Sequence, residues 1–164
     1  MTKTVILGIG QSLRGDDGAG LAAVKRWQAL FPARAAYLDL SVVLLELPGL
    51  ALLDYLAGAQ QALLVDAVRS GITPGSVNLV SEADLIEFGP GSGSAHGWGV
   101  AETLALGRQL QPEKMPARVD VLGIEAGDVN LGDVLSSQVD AALDHAVALI
   151  AAWLDESLPD HFLP

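Results

Sequence analysis

Cysteine is absent from the 164 residues of this chain. A chain without thiols forms no disulfide, supplies no thiolate to a metal and has no cysteine nucleophile. Any metal site must therefore be built from carboxylate, imidazole, backbone and water ligands.

Basic residues are scarce: nine Lys and Arg stand against twenty Asp and Glu, which gives a net charge of −11. A surface this acidic repels phosphate backbones, so a nucleic-acid partner is not expected. The same field favours cationic partners and metal ions.

Aromatic residues make up only 5% of the chain, although 51% of it is hydrophobic, so the core must be aliphatic. No apolar run approaches the ~20 residues that a membrane-spanning helix needs. The N-terminal apolar stretch, Val5–Ile9, runs directly into a loop rich in Gly and Asp and has no signal-peptide cleavage site. We therefore expect a cytoplasmic protein without membrane insertion, folded as one domain over residues 1–164 with a loose tail from Asp155.

Short apolar segments alternate with amphipathic ones along the chain. The apolar segments predict strands at Thr4–Ile9, Ala35–Leu40, Ala62–Ala67, Ser76–Val80 and Arg118–Gly123. Helices are predicted at Gly18–Leu30, Leu45–Leu56, Gly97–Gln109 and Ser136–Leu154. This alternation predicts a three-layer α/β fold, with a mainly parallel, twisted, five-stranded sheet and helices on both faces.

Three candidate ligands follow these predicted strands. Asp17 lies in the loop after the first strand, Asp66 ends the third strand, and His96 follows a Gly- and Ser-rich loop. If the first strand lies between the second and third, the two Asp meet at the crevice where the strand order reverses. Two carboxylates and one imidazole suit nickel, zinc or a similar ion, and leave coordination positions open for a reacting molecule.

Each of these residues also has an ordinary structural explanation. Asp16 and Asp17 are suited to capping the following helix, Asp66 to forming a turn, and His96 to a helix cap or an exposed loop. Taken singly, the structural explanations are at least as strong. The metal site is favoured only because all three candidates converge on one edge of the sheet.

Other interpretations of the same residues are weaker. Gly8, Gly10 and Gly15 suggest a dinucleotide-binding turn, with Asp39 bound to the ribose. The spacing of the glycines does not fit that motif, however. In addition, two Asp residues would place negative charge where a pyrophosphate needs the positive end of a helix. Ser94 and His96 lack the strand-to-helix turn of a serine hydrolase. The two remaining histidines, His145 and His161, are expected on a helix surface and in the tail. An aspartic-protease-like dyad of Asp17 and Asp66 remains possible, but it gives His96 no role.

The motifs together resemble the hydrogenase maturation proteases, the endopeptidases that finish the large subunits of nickel–iron hydrogenases. That family opens with a strand followed by G-x-G-N-x-L-x-x-D-[DE]-x-x-G, which this chain matches over Gly8–Gly20 with Gln11 in place of Asn. A V-D-A segment matches Val65–Ala67, and an S-x-H segment matches Ser94–His96. The G-I-E segment at Gly123–Glu125 also fits. The resemblance extends over nearly the whole chain.

The resemblance implies that Asp17, Asp66 and His96 bind a metal and are catalytic. It also implies that the substrate is the precursor of a hydrogenase large subunit, whose own nickel the three residues recognise before the C-terminal extension is removed; zinc or cadmium could substitute. The family often has D-G-G-T after strand two, which we place at Asp39–Val42, where the glycines are missing. That departure supports an alternative, a non-catalytic assembly factor for a nickel protein on the same fold.

Overall fold

The chain forms one five-stranded sheet in a computed structural model that describes residues 4–87 and 99–158. The strands are β1 (Thr4–Gly10), β2 (Leu40–Glu46), β3 (Gln61–Val68), β4 (Val77–Ser81) and β5 (Arg118–Glu125). Their order across the sheet is β2-β1-β3-β5-β4. All neighbours are parallel except β4, which runs antiparallel to β5 at the edge. The predicted α/β architecture is confirmed.

The central strands are apolar because both of their faces are covered. Every residue of β1 is buried, and so are the inner six of β3 and the last seven of β5. Such continuous burial is characteristic of parallel strands that lie between two helical layers. The order also places β1 between β2 and β3, as predicted, so the reversal point lies between β1 and β3.

Helices cover the sheet on two sides. Their bounds are α1 (Ala19–Leu30), α2 (Pro32–Ala35), α3 (Leu52–Leu56), α4 (Glu82–Glu87), α5 (Val100–Leu110) and α6 (Ser137–Ser157). α1 and α6 form one apolar cluster around the fully buried Trp27 and the nearly fully buried Trp153. α3 and α5 form a second cluster on the opposite face, around Leu56 and Leu104. None of the helices in the described residues is long and apolar enough to cross a membrane.

The second strand was predicted in the wrong place. β2 occupies Leu40–Glu46, whereas Ala35–Leu40 was predicted; residues 36–39 are instead a turn region, which follows a short helix at Pro32–Ala35 that begins with a proline. Pro is favoured in the first turn of a helix because its missing N–H has no partner there in any case. β2 is an edge strand that pairs with β1 and is only partly buried through its middle.

The helix predicted at Leu45–Leu56 was correspondingly too long. β2 continues to Glu46, a 3-10 turn follows at Gly49–Ala51, and α3 covers only Leu52–Leu56. At the C-terminus, α6 continues through the predicted start of the loose tail to Ser157, while residues 159–164 lie outside the described part.

Candidate active site

Asp17 reaches the sheet because the β1–α1 connection is folded tightly against the end of β1. The Gln11 amide donates to the Asp17 carbonyl oxygen at 3.1 Å, and a Cβ on Gly10 would lie 2.2 Å from that same oxygen. A side chain at position 10 would therefore push the connection away from the strand. Asp17 then lies in a 3-10 turn at Gly15–Gly18 and is buried, with 2% of its surface exposed.

Asp66 lies near the carboxyl end of β3, the strand beside β1, and is 4% exposed. Its neighbourhood is set by the close approach of α1 to the sheet. A Cβ on Gly20 would lie 2.2 Å from the carbonyl oxygen of Val65 and 2.4 Å from that of Ile9. The glycines of the first motif therefore allow backbone contact between helix and sheet, and that contact brings the β1–α1 turn up to Asp66.

The two carboxylates interact electrostatically. Burial raises the pKa of Asp66 well above its ordinary value, the negative charge of Asp17 raises it further, and a hydrogen bond from the Ala67 amide opposes both effects only in part. No basic side chain in the described part of the chain lowers this pKa. A buried acid pair of this kind is costly unless a proton or a cation is shared between the two groups. Its oxygen donors fit a divalent metal ion.

His96 lies outside the described residues, so its predicted place beside Asp17 and Asp66 stays a prediction. Within residues 4–87 and 99–158, no group of three side chains is placed to hold a metal ion. The structure therefore brings two of the three predicted ligands to one edge of the sheet. His145 lies exposed on α6, as expected, and His161 is outside the described residues.

Asp16 does not cap α1, which begins after Gly18. Its side chain instead accepts four hydrogen bonds from the β5–α6 connection. The amides of Gly127 and Asp128 donate to Oδ2 at 2.9 and 2.8 Å, the Ser136 hydroxyl donates to Oδ2 at 2.9 Å, and the Ser136 amide donates to Oδ1 at 2.6 Å. Burial alone would raise the pKa of Asp16, but these bonds outweigh it and lower that pKa. Sequence reasoning gave this residue only a capping role.

Glu125, from the G-I-E segment, holds a second connection at the same edge. It is 2% exposed and accepts hydrogen bonds from the amides of Ser70 and Gly71, at 2.9 Å each, and from the Ser70 hydroxyl at 2.8 Å. The β3–β4 connection is thereby fixed just beyond Asp66. Sequence alone gave Glu125 no physical role, because its partners are about 55 residues away along the chain.

Asp39 and the segment beside it were misplaced by the error in β2. The Thr4 amide donates to the Asp39 carbonyl oxygen, so Asp39 precedes β2 at the amino edge of the sheet. The site lies at the opposite edge, about 20 Å away along a seven-residue strand. Asp39 therefore cannot hold the ribose of a nucleotide bound after β1, and Asp39–Val42 is not the segment that follows strand two.

The segment that does follow β2 lies beside the β1–α1 connection. The Leu47 amide donates to the Gly10 carbonyl oxygen at 3.2 Å, and the Ser12 amide donates to the Glu46 carboxylate at 3.1 Å. Leu47 has a positive φ of 46°, a conformation uncommon for a residue other than glycine. This corrects the placement on which the assembly-factor alternative mainly depended.

A family model described as hydrogenase maturation protease matches residues 42–153. The chain belongs to the hydrogenase maturation protease family. Among curated relatives, the hydrogenase expression/formation protein HupD of Rhodobacter capsulatus is 29% identical over 159 residues, covering 92% of this chain and 72% of that protein. HoxM of Cupriavidus necator is 26% identical over 157 residues, covering 91% of this chain and 74% of that protein.

Solved structures of maturation proteases share the fold. The hydrogenase maturating endopeptidase HybD from E. coli has a TM-score of 0.81 at 20% identity, with 94% of this chain and 93% of that chain covered. The [NiFe] hydrogenase maturation protease HybD from Thermococcus kodakarensis has a TM-score of 0.70 at 27% identity, with 92% and 98% covered. The resemblance that the sequence motifs suggested is thus confirmed for both family and fold.

Proposed function

We propose that this protein is the endopeptidase that removes the C-terminal extension of a nickel-loaded hydrogenase large-subunit precursor. The observation that carries the proposal is the buried pair of Asp17 and Asp66 at the carboxyl edge of the sheet, where the pKa of Asp66 is raised by burial and by its neighbour. A crevice at this edge is where open α/β sheets bind their ligands. Membership of the protease family supplies the reaction class.

In this proposal the nickel arrives as part of the substrate. Asp17, Asp66 and His96 complete the coordination of that nickel. A precursor without nickel therefore lacks the contact that positions its scissile bond at the site. The bound ion supplies Lewis-acid chemistry, which polarises the scissile carbonyl or activates a water molecule. The protein's contribution is to desolvate two carboxylates beforehand, so that a cation entering the site gains from both charges.

We predict that the protein shortens a nickel-loaded precursor at least about 100-fold faster than the same precursor prepared without nickel, since a well-placed electrophile contributes on that order. Mass spectrometry of the precursor over time measures the loss of the extension directly. The matched control is the Asp17→Asn variant, which keeps the size of the side chain and removes its charge.

Two other outcomes contradict the proposal in different ways. Equal cleavage of both precursors would favour a metal-independent acid–base dyad of Asp17 and Asp66, for which the raised pKa of Asp66 is the supporting observation. Stable binding of the nickel-loaded precursor without any shortening would favour the assembly-factor alternative.

A further inference from the structure

The β1–α1 connection carries two adjacent buried acids with different surroundings. Asp17 interacts with Asp66, whereas the Asp16 side chain is bonded to the β5–α6 connection. A carboxylate offers about four lone-pair positions, and Asp16 accepts four hydrogen bonds. Three of these bonds go to Oδ2 and one to Oδ1, so the protein itself takes up most of the hydrogen-bonding capacity of this side chain.

We infer that Asp16 is a positioning residue, which fixes the turn that carries Asp17 and so sets the distance between Asp17 and Asp66. The inference rests on the proposed function for its catalytic consequence. Its structural part stands on the hydrogen bonds alone. The motif then combines two functions in consecutive residues: one acid holds the turn, and the next faces the reaction.

The Asp16 carboxylate connects segments that are far apart in sequence. Its donors lie 111 to 120 residues away, and one of them, Ser136, is also the N-cap of α6, whose hydroxyl accepts from the Val139 amide. The turn at Gly15–Gly18 is thus tied to the start of the longest helix in the described residues. The Asp16 carboxylate therefore connects the start of that helix to the turn that carries Asp17.

Backbone hydrogen bonds also join the β1–α1 connection to the β5–α6 connection on either side of the Asp16 carboxylate. The Gly15 amide donates to Gly132 and the Asp16 amide donates to Asp128, both to the carbonyl oxygen at 2.8 Å. Gly15 has a φ of 54°, and a Cβ there would lie 2.5 Å from the Asp128 carbonyl oxygen. These contacts bring the two chains close together, but they leave three amide donors converging where Asp16 sits. Without a charged acceptor, those part-buried donors would lose their partners.

Asp16→Asn tests this directly, because the amide keeps the shape of the carboxylate but places an NH2 group against an N–H donor. The matched control is Asp120→Asn. Asp120 is another buried acid, 7% exposed, which accepts from Trp153 Nε1 at 2.7 Å and from Arg118 Nε at 2.6 Å. It lies near the start of β5, at the far edge of the sheet from the site. Both variants are compared at a temperature where circular dichroism shows them folded.

The first readout is amide hydrogen exchange. In Asp16→Asn we expect the amides of Gln11, Asp17 and Ser136 to exchange about tenfold faster or more, while Asp120→Asn leaves them as in the wild type. Gln11 and Asp17 report the β1–α1 turn itself, since their amides bond to Asp17 and Arg14 within it. Unchanged exchange at these positions in Asp16→Asn would overturn the inference, whatever the enzyme's activity.

The second readout is the rate of precursor shortening. We expect Asp16→Asn to lower kcat about 100-fold with a smaller change in KM, because misplacing a reacting group by about 1 Å costs on that order. Ser136→Ala, which removes one of the four donors, should lower kcat less, and Asp120→Asn should not lower it. If a folded Asp16→Asn variant has the wild-type kcat while Asp17→Asn is inactive, the positioning role of Asp16 is overturned and the proposed function is not. Full activity in Asp17→Asn overturns the proposed function instead, and hydrogen exchange then still decides the positioning role.

Discussion

Replacing Asp66 by Asn should make the protein more stable and at the same time inactive. Asp66 is 4% exposed and lies beside another acid, so its charged form is disfavoured by burial and by repulsion from Asp17. An amide of the same size carries no charge and can donate a hydrogen bond to the Asp17 carboxylate. We expect the free energy of unfolding at pH 7 to rise by about 1–3 kcal/mol, the cost of a buried polar group without full compensation.

The pH dependence gives this prediction its sign. Because the folded-state pKa of Asp66 lies above the ordinary value of 3.8, the folded protein binds a proton on the Asp66 carboxylate more tightly than the unfolded chain does. The favourable contribution of Asp66 is therefore present below pH 3.8 and is lost as the pH rises through the folded-state pKa. The stability difference between Asp66→Asn and the wild type should be small at low pH. It should grow as the pH rises from 3.8 through the folded-state pKa of Asp66.

Urea denaturation of both proteins from pH 4 to pH 8 measures this difference. Asp54→Asn, at an exposed position on α3, is the control and should change little at any pH. A variant at position 66 that is less stable than the wild type at pH 7 would show that the carboxylate is stabilised by its surroundings, and the physical basis of the site would be lost. The same variant should no longer shorten the nickel-loaded precursor.

Gly20→Ala should have the largest destabilising effect of any single methyl group near the site. In a helix, Ala is favoured over Gly by about 1 kcal/mol. Here, however, the new Cβ would lie 2.2 Å from the Val65 carbonyl oxygen and 2.4 Å from that of Ile9. Both are backbone atoms of central strands and cannot move aside. We therefore expect a net loss of about 3 kcal/mol or more in the free energy of unfolding.

Gly132→Ala is the matched control for that substitution. Gly132 lies in the β5–α6 connection near the same edge, and a Cβ there would meet no atom within 4 Å. We expect its effect to stay within about 0.5 kcal/mol. Where Gly20→Ala still folds, precursor cleavage should also fall, because Val65 precedes Asp66 and any shift of that backbone changes the position of the carboxylate. Equal stability of the two variants in urea would contradict the proposed close contact between α1 and the sheet.

Burial accounts for the parts of the fold that were predictable from sequence. β1, β3 and β5 are covered on both faces, so their apolar runs stand out against the flanking glycines and polar residues. The long helix α6 keeps a regular apolar stripe, from Val139 to Leu154, against the sheet. Given those elements, the preference for right-handed parallel crossovers left few possible strand orders.

β2 was not predictable in the same way because it is a partly buried edge strand. Its apolar run, Val42–Leu45, is followed by Glu46 and a further apolar residue, Leu47, so no proline or glycine marks the end of the strand before Pro48. A short apolar run cannot be assigned to helix or strand by periodicity alone. Two adjacent β-branched residues, Val42 and Val43, were the available signal for a strand.

The placement of Asp17 and Asp66 was predictable because Asp17 lies in the connection that follows β1 and Asp66 lies near the carboxyl end of β3. The functions of Asp16 and Glu125 were not, because each depends on backbone amides far away in sequence. An acid that binds such amides cannot be distinguished by sequence from one that faces a ligand. The distinction comes from counting its hydrogen bonds in the folded structure.

The central claim is that three side chains meet around the precursor's metal ion, and their single substitutions test it most directly. A nickel-loaded precursor is incubated with wild type, Asp17→Asn, Asp66→Asn and His96→Ala, and the C-terminal extension is followed by mass spectrometry. The account predicts that each variant lowers the cleavage rate by about 100-fold or more, and that combining two substitutions adds little, as for groups that act as a unit. Cleavage at the wild-type rate by all three variants would contradict it.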